Sequence, residues 1–310
     1  MTLRIFSPAT VANVACGFDI LGFALQSPGD EILIRRLTDT SEIRIINQTD
    51  LPKIPTDPTQ NTLGVSLQKM LDQLGDTSGF EITMTHKIRP GSGIGSSSAS
   101  AAASVFGANE LLGRPFSRKE LVAFAMEGER AACGSAHADN VAPALLGGFA
   151  LVRSYTPLDV VELDFPEELY CTVVHPQIEL KTEDSRRVLR RDIPLQTAIV
   201  QWGNIAGLVA GLFKKDYELI GRSLEDVVIE PIRSTLIPGY ALVKRAAISA
   251  GALGCSISGS GPSLFALSSN PETAQKVSEV MQAEFSRMFI ESRAYVSQVN
   301  REGVRVMEVE

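Results

Sequence analysis

Long apolar runs, paired cysteines and an excess of positive charge are all missing from this 310-residue chain. No stretch is apolar for long enough to span a bilayer as a helix. The four cysteines, Cys16, Cys133, Cys171 and Cys255, are scattered without a CxxC spacing. That argues against a metal knuckle or a disulfide framework, and for reduced thiols in the cytoplasm. A formal net charge of −7 argues against non-specific binding to nucleic acid. Residues 1–6 pass straight into patterned sequence, so no signal peptide is expected. There is no internal repeat. What remains is globular: 44% hydrophobic, 21% charged, with room for one large domain or two ordinary ones.

The chain is organised around residues 90–113, PGSGIGSSSASAAASVFGANELLG. Gly91, Gly93 and Gly95 permit a tight turn and close approach to a ligand. Ser96, Ser97 and Ser98 read as caps at the mouth of a helix, and the alanines behind them favour helix. A loop feeding a helix N-terminus aims several N–H groups one way and suits an anion, above all a phosphate. The pattern is neither of the common nucleotide loops. It has no lysine followed by Ser/Thr, so main-chain amides would hold the anion with no lysine helping. Serines stand where a dinucleotide fingerprint wants its third glycine.

Around this stretch the periodicity alternates strands and helices. Strands are expected at residues 3–6, 80–88, 149–153 and 169–175, with 30–36 and 41–47 alternating like a pair. Helices are expected at 61–74, 117–133, 217–228, 238–250 and 272–289, and a polar one opens at 181–187. Residues 198–213 read as a buried helix whose Gly203, Gly207 and Gly211 allow close packing. Residues 7–22 hold too many small residues and glycines for a plain strand, and locally Asn13 and Asp19 read as turn residues. Residues 52–58 form a proline-rich surface loop, and 156–166 a joint between halves. Residues 254–267 carry a glycine–serine turn between two apolar strands, sized to back a phosphate site. Residues 292–299 close the chain as a strand. The mix points to an α+β fold rather than a doubly wound parallel sheet.

Three stretches together resemble one family, the GHMP small-molecule kinases. They are PGSGIGSSSAS (residues 90–100), SPATVANVACGFDILG (7–22) and SISGSGPSLFAL (256–267). Their order and spacing over a chain of family size make the match specific. SAHADNVAPALLGG and EPIRSTLIPGY are most similar to the homoserine kinases of that family. Ile94 and Ser98 depart from it, where leucine and alanine are more usual, without changing the loop's shape.

The resemblance implies a two-domain α+β GHMP kinase fold. Residues 1–155 would form an S5-like ATP-binding domain and 165–310 a ferredoxin-like one, with the last strand able to return to the first domain. It implies ATP-dependent phosphorylation of the L-homoserine hydroxyl on the route to threonine, with Mg²⁺, in a cytoplasmic homodimer. Pro90, Gly91, Ser92, Gly93, Ile94, Gly95, Ser96, Ser97, Ser98, Ala99 and Ser100 would bind ATP. Ser97 and Glu129 would hold Mg²⁺, although locally Glu129 reads as a solvated helix face. Asn13 and Asp19 would take the amino end of homoserine, and Arg186 and Arg233 its carboxylate. His137, which locally reads as a surface-loop histidine, would complete the pocket with Asn140, Thr182 and Gly259. Asn140 would orient the hydroxyl without a strong base, although Asp139 lies beside it. The alternatives are another GHMP kinase, of the mevalonate pathway or for a cytidyl-erythritol, and a non-catalytic sensor on the same fold.

Overall fold

The computed structural model describes the chain except residues 135, 179, 181, 191 and 310, and no side chain at 132, 133, 182 and 183. The first half runs β1 (Thr2–Ala12), β2 (Leu21–Leu37), β3 (Ile43–Asn47), α1 (Thr62–Leu74), β4 (Gly79–His86), α2 (Ser96–Leu111), α3 (Arg118–Cys133), α4 (Ala138–Leu146), β5 (Phe149–Tyr155) and β6 (Leu158–Leu163). The second runs β7 (Tyr170–Pro176), α5 (Thr182–Arg187), α6 (Leu195–Lys214), α7 (Tyr217–Ser223), α8 (Glu230–Arg233), α9 (Tyr240–Ser249), β8 (Gly254–Ile257), β9 (Leu264–Ser268), α10 (Pro271–Arg287), β10 (Ser292–Gln298) and β11 (Arg305–Val309).

Helix ends follow the local chemistry. Asn61 accepts the Leu63 amide ahead of α1, and Gly75 ends it in the left-handed region. Ser117 and Glu120 form a reciprocal capping box on α3. Asn270 caps α10, with Pro271 in its first turn.

The larger sheet has the order β11-β1-β2-β4-β3, and β5 joins β2 on one side and β6 on the other. All its pairs are antiparallel except β3 with β4. Helix α2 packs on β1 and β2, α4 on β1, β2 and β5, and α1 and α3 pack against α2. The smaller sheet, β10-β7-β9-β8, is fully antiparallel, with α10 across β7, β9 and β10 and α9 beside α10. A third apolar cluster joins the halves through Val11, Phe23, Phe149, Leu208, Leu212 and Phe265. Phe23 stacks at 4.7 Å on Phe149 and meets Phe265 at 6.1 Å. Each such buried ring contributes about 2–3 kcal/mol by leaving water, so the site is built across a well-packed joint.

Several expectations are corrected. The first strand continues through residues 7–12, because their small side chains are all buried under helices; turn chemistry begins only at Asn13. The alternating segments β2 and β3 do not pair. The crossover through α1 makes β3 run parallel to β4, which lies between them. Helix α4 was not expected because it contains Pro143, which cannot donate to the Asp139 carbonyl. Gly22 packs against that carbonyl, and a Cβ there would lie 1.7 Å from the oxygen. The joint at 156–166 is mostly β6, part of the larger sheet. Helix α7 stops at Ser223, because the Asp226 carboxylate captures the amides of Val228, Ile229 and Glu230 and turns the chain. The closing strand is β11, which pairs with β1, not β10.

Helix α6 is not buried. Ala198, Leu208, Gly211 and Leu212 face the core, while Leu195, Ile199, Trp202 and Phe213 are about half exposed or more. Gly207 and Gly211 do pack closely, against Ser223 and Ile220 of α7; Gly203 meets nothing. The helix carries no charge before Lys214 in its last turn, so charge gives no periodic cue to its wet face.

Candidate active site

One cleft of about 1530 Å³ runs between the halves, and the start of α2 opens into it. Pro90, Gly91, Gly93, Gly95, Ser96, Ser97, Ser98 and Ser100 line it, together with Glu129, Asn13, Asp19, His137, Asn140, Arg186, Arg233 and Gly259. Ser92, Ile94 and Ala99 do not. Ile94 and Ala99 pack into the core that joins the halves, and Ser92 is buried beneath the turn. Thr182 opens α5, but its side chain lies outside the described residues.

The serines do not cap α2. Gly95 takes the cap position at φ 69°, with no side-chain cap. Only glycine fits there: besides the left-handed backbone, a Cβ would sit 2.0 Å from the Thr10 hydroxyl and 3.0 Å from Asn140 Oδ1. The first-turn amides therefore have no capping side chain and no partner within the helix, and they face the cleft. Each serine hydroxyl has a different use. Ser96 donates to the Ile88 carbonyl at 2.8 Å, and Ser98 donates to Glu129 Oε1 at 2.7 Å. Ser97 is half-buried at the cleft wall. Glu129 is thus a buried carboxylate held from the loop, not a solvated helix face.

A lysine does assist the loop. Lys87, just before it, reaches the start of α2, where Nζ donates to Asp30 at 2.8 Å, to Ser96 Oγ at 2.7 Å and to the Ser96 carbonyl. Asp30 also accepts from the Ile88 amide and from Ser100. This nearly dry ion pair ties β2, the end of β4 and the first turn of α2 together. No loop pattern reveals it, because the lysine arrives from the strand side and its acid lies 57 residues away.

At the other end of the cleft, charged side chains converge. Arg186 donates to Asp19 at 2.6 Å and stands 3.4 Å from His137 Nδ1. Arg187 points outward. Arg233 is 2% exposed and donates to the carbonyls of Ser185 and Gly259. Among the described residues it has no carboxylate at ion-pair distance. Burial, reinforced by Arg186, pushes its pKa down to about 10. Asn13 donates to Gly259 at 2.7 Å and accepts the Asp19 amide. The turn chemistry read locally at Asn13 is therefore present, and the same side chain also reaches the second half. The Tyr155 hydroxyl, another residue the sequence did not mark, donates to the Asp19 carbonyl.

Thr10 donates to Asn140 Oδ1 at 2.7 Å, which leaves the carboxamide nitrogen to the cleft. Burial, with Asp19 and Glu129 nearby, pushes the Asp139 carboxyl up to about 7. His137 is pushed down by burial and by the two arginines, against the pull of Asp19. The cleft therefore joins an amide-lined, cation-backed end to a zwitterion-sized end with one acid and two guanidinium groups. That arrangement can hold a polyphosphate next to a small amphoteric molecule.

Known proteins place this geometry. The model of the GHMP kinases N terminal domain matches residues 61–148, and that of the GHMP kinases C terminal matches residues 208–287. The chain belongs to the GHMP kinases. Homoserine kinases of Chlorobium phaeobacteroides and Chlorobium phaeovibrioides are 50% and 51% identical to it, over 99% of this chain and 99% of each relative. The crystal structure of homoserine kinase from Cytophaga hutchinsonii superposes with a TM-score of 0.94 at 53% identity, covering 99% of this chain and 97% of that one. Within the GHMP kinases, the chain is a member of the homoserine kinase family.

His175 links the second half to the loop. Its Nδ1 lies 3.2 Å from Ser263 Oγ, which donates to the Ser92 carbonyl. Burial, with Arg89 and Arg293 nearby, holds its pKa down at about 4. A depressed histidine stabilises the fold fully above its unfolded pKa, roughly 6.5, and that stability is lost as pH falls towards 4. Thermal unfolding between pH 7 and pH 4 should therefore show a smaller fall in Tm for His175→Gln than for the parent. Equal falls would assign the acid sensitivity elsewhere.

Proposed function

We propose that this protein transfers the terminal phosphoryl group of ATP to the side-chain hydroxyl of L-homoserine, giving O-phospho-L-homoserine and ADP. A bond forms between the homoserine oxygen and the γ-phosphorus, the bond from that phosphorus to the bridging β–γ oxygen breaks with its electron pair leaving on ADP, and the hydroxyl proton passes to a phosphate oxygen or to water. The observation that carries this reading is the shared cleft, with the α2 amides at one end and Asp19, Arg186 and Arg233 at the other.

In this reading the loop amides from Gly91 to Ser98 hold the triphosphate, backed by Lys87. Arg233, a buried cation, takes the substrate carboxylate, and Asp19 takes the ammonium while remaining paired to Arg186. His137 closes the pocket wall. The Asn140 nitrogen orients the hydroxyl, because Thr10 already occupies the amide oxygen. A carboxamide is no base, and a loose transition state asks mainly for positioning and charge neutralisation.

The donors present suit Mg²⁺. Glu129 offers one buried carboxylate and Ser97 a hydroxyl at the cleft wall. Such a set, completed by phosphate and water oxygens, is what magnesium prefers over an all-protein cage. The described residues contain no group of three or more His, Cys, Asp or Glu for a tighter metal site. The ion would neutralise charge on the phosphates, while Ser98 keeps Glu129 aimed into the cleft.

The exposed face of α6 supports a homodimer. Leu195, Ile199, Trp202, Ala206 and Phe213 form an exposed stripe at helical spacing with no charge along it. An uncharged apolar stripe on one helix suits the same stripe of a second copy about a twofold axis. Among the described residues no helix is long and apolar enough to cross a membrane. Cytoplasmic residence accords with an ATP-using reaction and with the buried free thiols of Cys16, Cys171 and Cys255.

A panel of small hydroxylated metabolites with ATP and Mg²⁺ should show turnover of homoserine and little of mevalonate. Arg233→Ala should raise the homoserine KM about a hundredfold or more, since it removes a buried charge-assisted contact. Comparable turnover of mevalonate would defeat the assignment. For the metal, Glu129→Gln should require roughly tenfold more Mg²⁺ for half-maximal rate, and an unchanged titration would remove Glu129 from that role. For the dimer, Trp202→Glu should halve the sedimenting mass at micromolar concentration. A monomeric parent would refute the α6 interface.

A further inference from the structure

Arg186 and Arg233 come from separate elements of the second half, α5 and α8, yet both guanidinium groups stand over one ring from the first half. The Arg186 Cζ lies 5.4 Å from the centroid of Phe18, and that of Arg233 lies 5.0 Å from it. Both distances fall within the reach of a cation–π contact. Phe18 is only partly buried, so its position needs support, and the surrounding turn supplies it. The amides of Ile20 and Leu21 both bond the Gly17 carbonyl. Asn13 fixes the Asp19 amide, and Tyr155 fixes the Asp19 carbonyl while accepting from the Ala138 amide. Gly17 is needed for this closure, because a Cβ there would meet the Leu21 Cβ at 2.5 Å.

The electrostatics call for such a ring. Asp19 neutralises Arg186 at 2.6 Å. Arg233 is buried, with two carbonyls as its hydrogen-bond partners among the described residues and a second guanidinium nearby. A ring face carries partial negative charge and cannot hydrogen-bond, so it holds both cations without occupying the donors a carboxylate needs.

We infer that Phe18 is the positioning residue for the carboxylate end of the substrate: its ring sets the spacing of Arg186 and Arg233 and keeps their N–H groups directed at the bound anion. This rests on the homoserine reading above. It makes substrate selection depend on a contact between the two halves of the molecule, because the turn around Phe18 belongs to the first half and both arginines to the second.

Two series of full-length variants test it, each assayed with homoserine and ATP. Phe18→Leu should raise the homoserine KM about tenfold and leave the ATP KM within about twofold, and Phe18→Trp should bring the homoserine KM back towards the parent value. Replacing Phe18 with mono-, di- and trifluorinated phenylalanine, which weakens the ring's negative face while nearly keeping its shape, should raise log KM for homoserine stepwise. A homoserine KM unchanged in Phe18→Leu, or one that stays flat across the fluorinated rings, would overturn the inference while leaving the kinase reading intact. A parent enzyme that does not turn over homoserine at all would instead defeat the reading on which the inference rests.

Discussion

The contact on which the molecule depends is the one between two glycine–serine turns, the loop before α2 and the turn between β8 and β9. Ser258 donates to the Gly93 carbonyl and Ser263 to the Ser92 carbonyl, so the second half holds the first by its main chain. The approach is possible only without side chains, since a Cβ on Gly93 would lie 2.7 Å from the Gly261 oxygen. Gly259, in the same turn, offers one carbonyl to both Asn13 and Arg233. The end of the cleft that suits phosphate and the end that suits an amino acid are thus fixed by one backbone contact. A shift of either turn would misplace both.

Charge in this cleft is arranged rather than merely balanced. Lys87 is held by Asp30 and Ser96 at the start of α2, where the ion pair fixes the first turn of the helix. Arg186 is neutralised by Asp19, whereas buried Arg233 has no carboxylate at ion-pair distance among the described residues. A buried guanidinium with acids nearby but none at ion-pair distance among the described residues is only partly compensated. The Phe18 ring adds to that compensation, and a bound carboxylate would complete it. Binding of that carboxylate therefore gains from relieving a cost already built into the fold, which favours an anionic group over a neutral one of the same size.

The sequence revealed the parts that depend on local chemistry. The loop and helix of residues 90–113, the capping box at Ser117 and Glu120, and the start signal at Asn270 and Pro271 all belong to single segments. Residues 7–22, 90–100 and 256–267 each contribute to the lining of one cleft, which is why three motifs read together pointed to it. Lys87, Thr10 and Phe18 were not legible. Each acts through a partner far away in the chain: Asp30, Asn140 and a pair of arginines. Pairing of strands was lost for the same reason, since alternation in β2 and β3 cannot show that β4 comes between them. The exposed face of α6 failed differently. An apolar helix with no charge before its last turn carries no periodic charge signal of which side faces water.

The chemistry proposed for the site agrees with what its side chains can and cannot do. Asn140 is a carboxamide whose oxygen accepts from Thr10; it can hydrogen-bond the substrate hydroxyl but cannot take its proton. Burial pushes its neighbour Asp139 up to about 7, and this reading gives that carboxyl no proton to take. For a reaction with a strongly associative transition state, that would be a deficiency. In a loose transition state little bond forms before the leaving bond is mostly broken, and the hydroxyl becomes acidic only late. What lowers the barrier is then the fixed distance between the hydroxyl and the γ-phosphorus, together with cations that need no rearrangement as charge moves. The two packed turns hold both ends of the cleft at a fixed separation, and in the proposed reading Arg233 would anchor the substrate while the first-turn amides of α2 meet the phosphates.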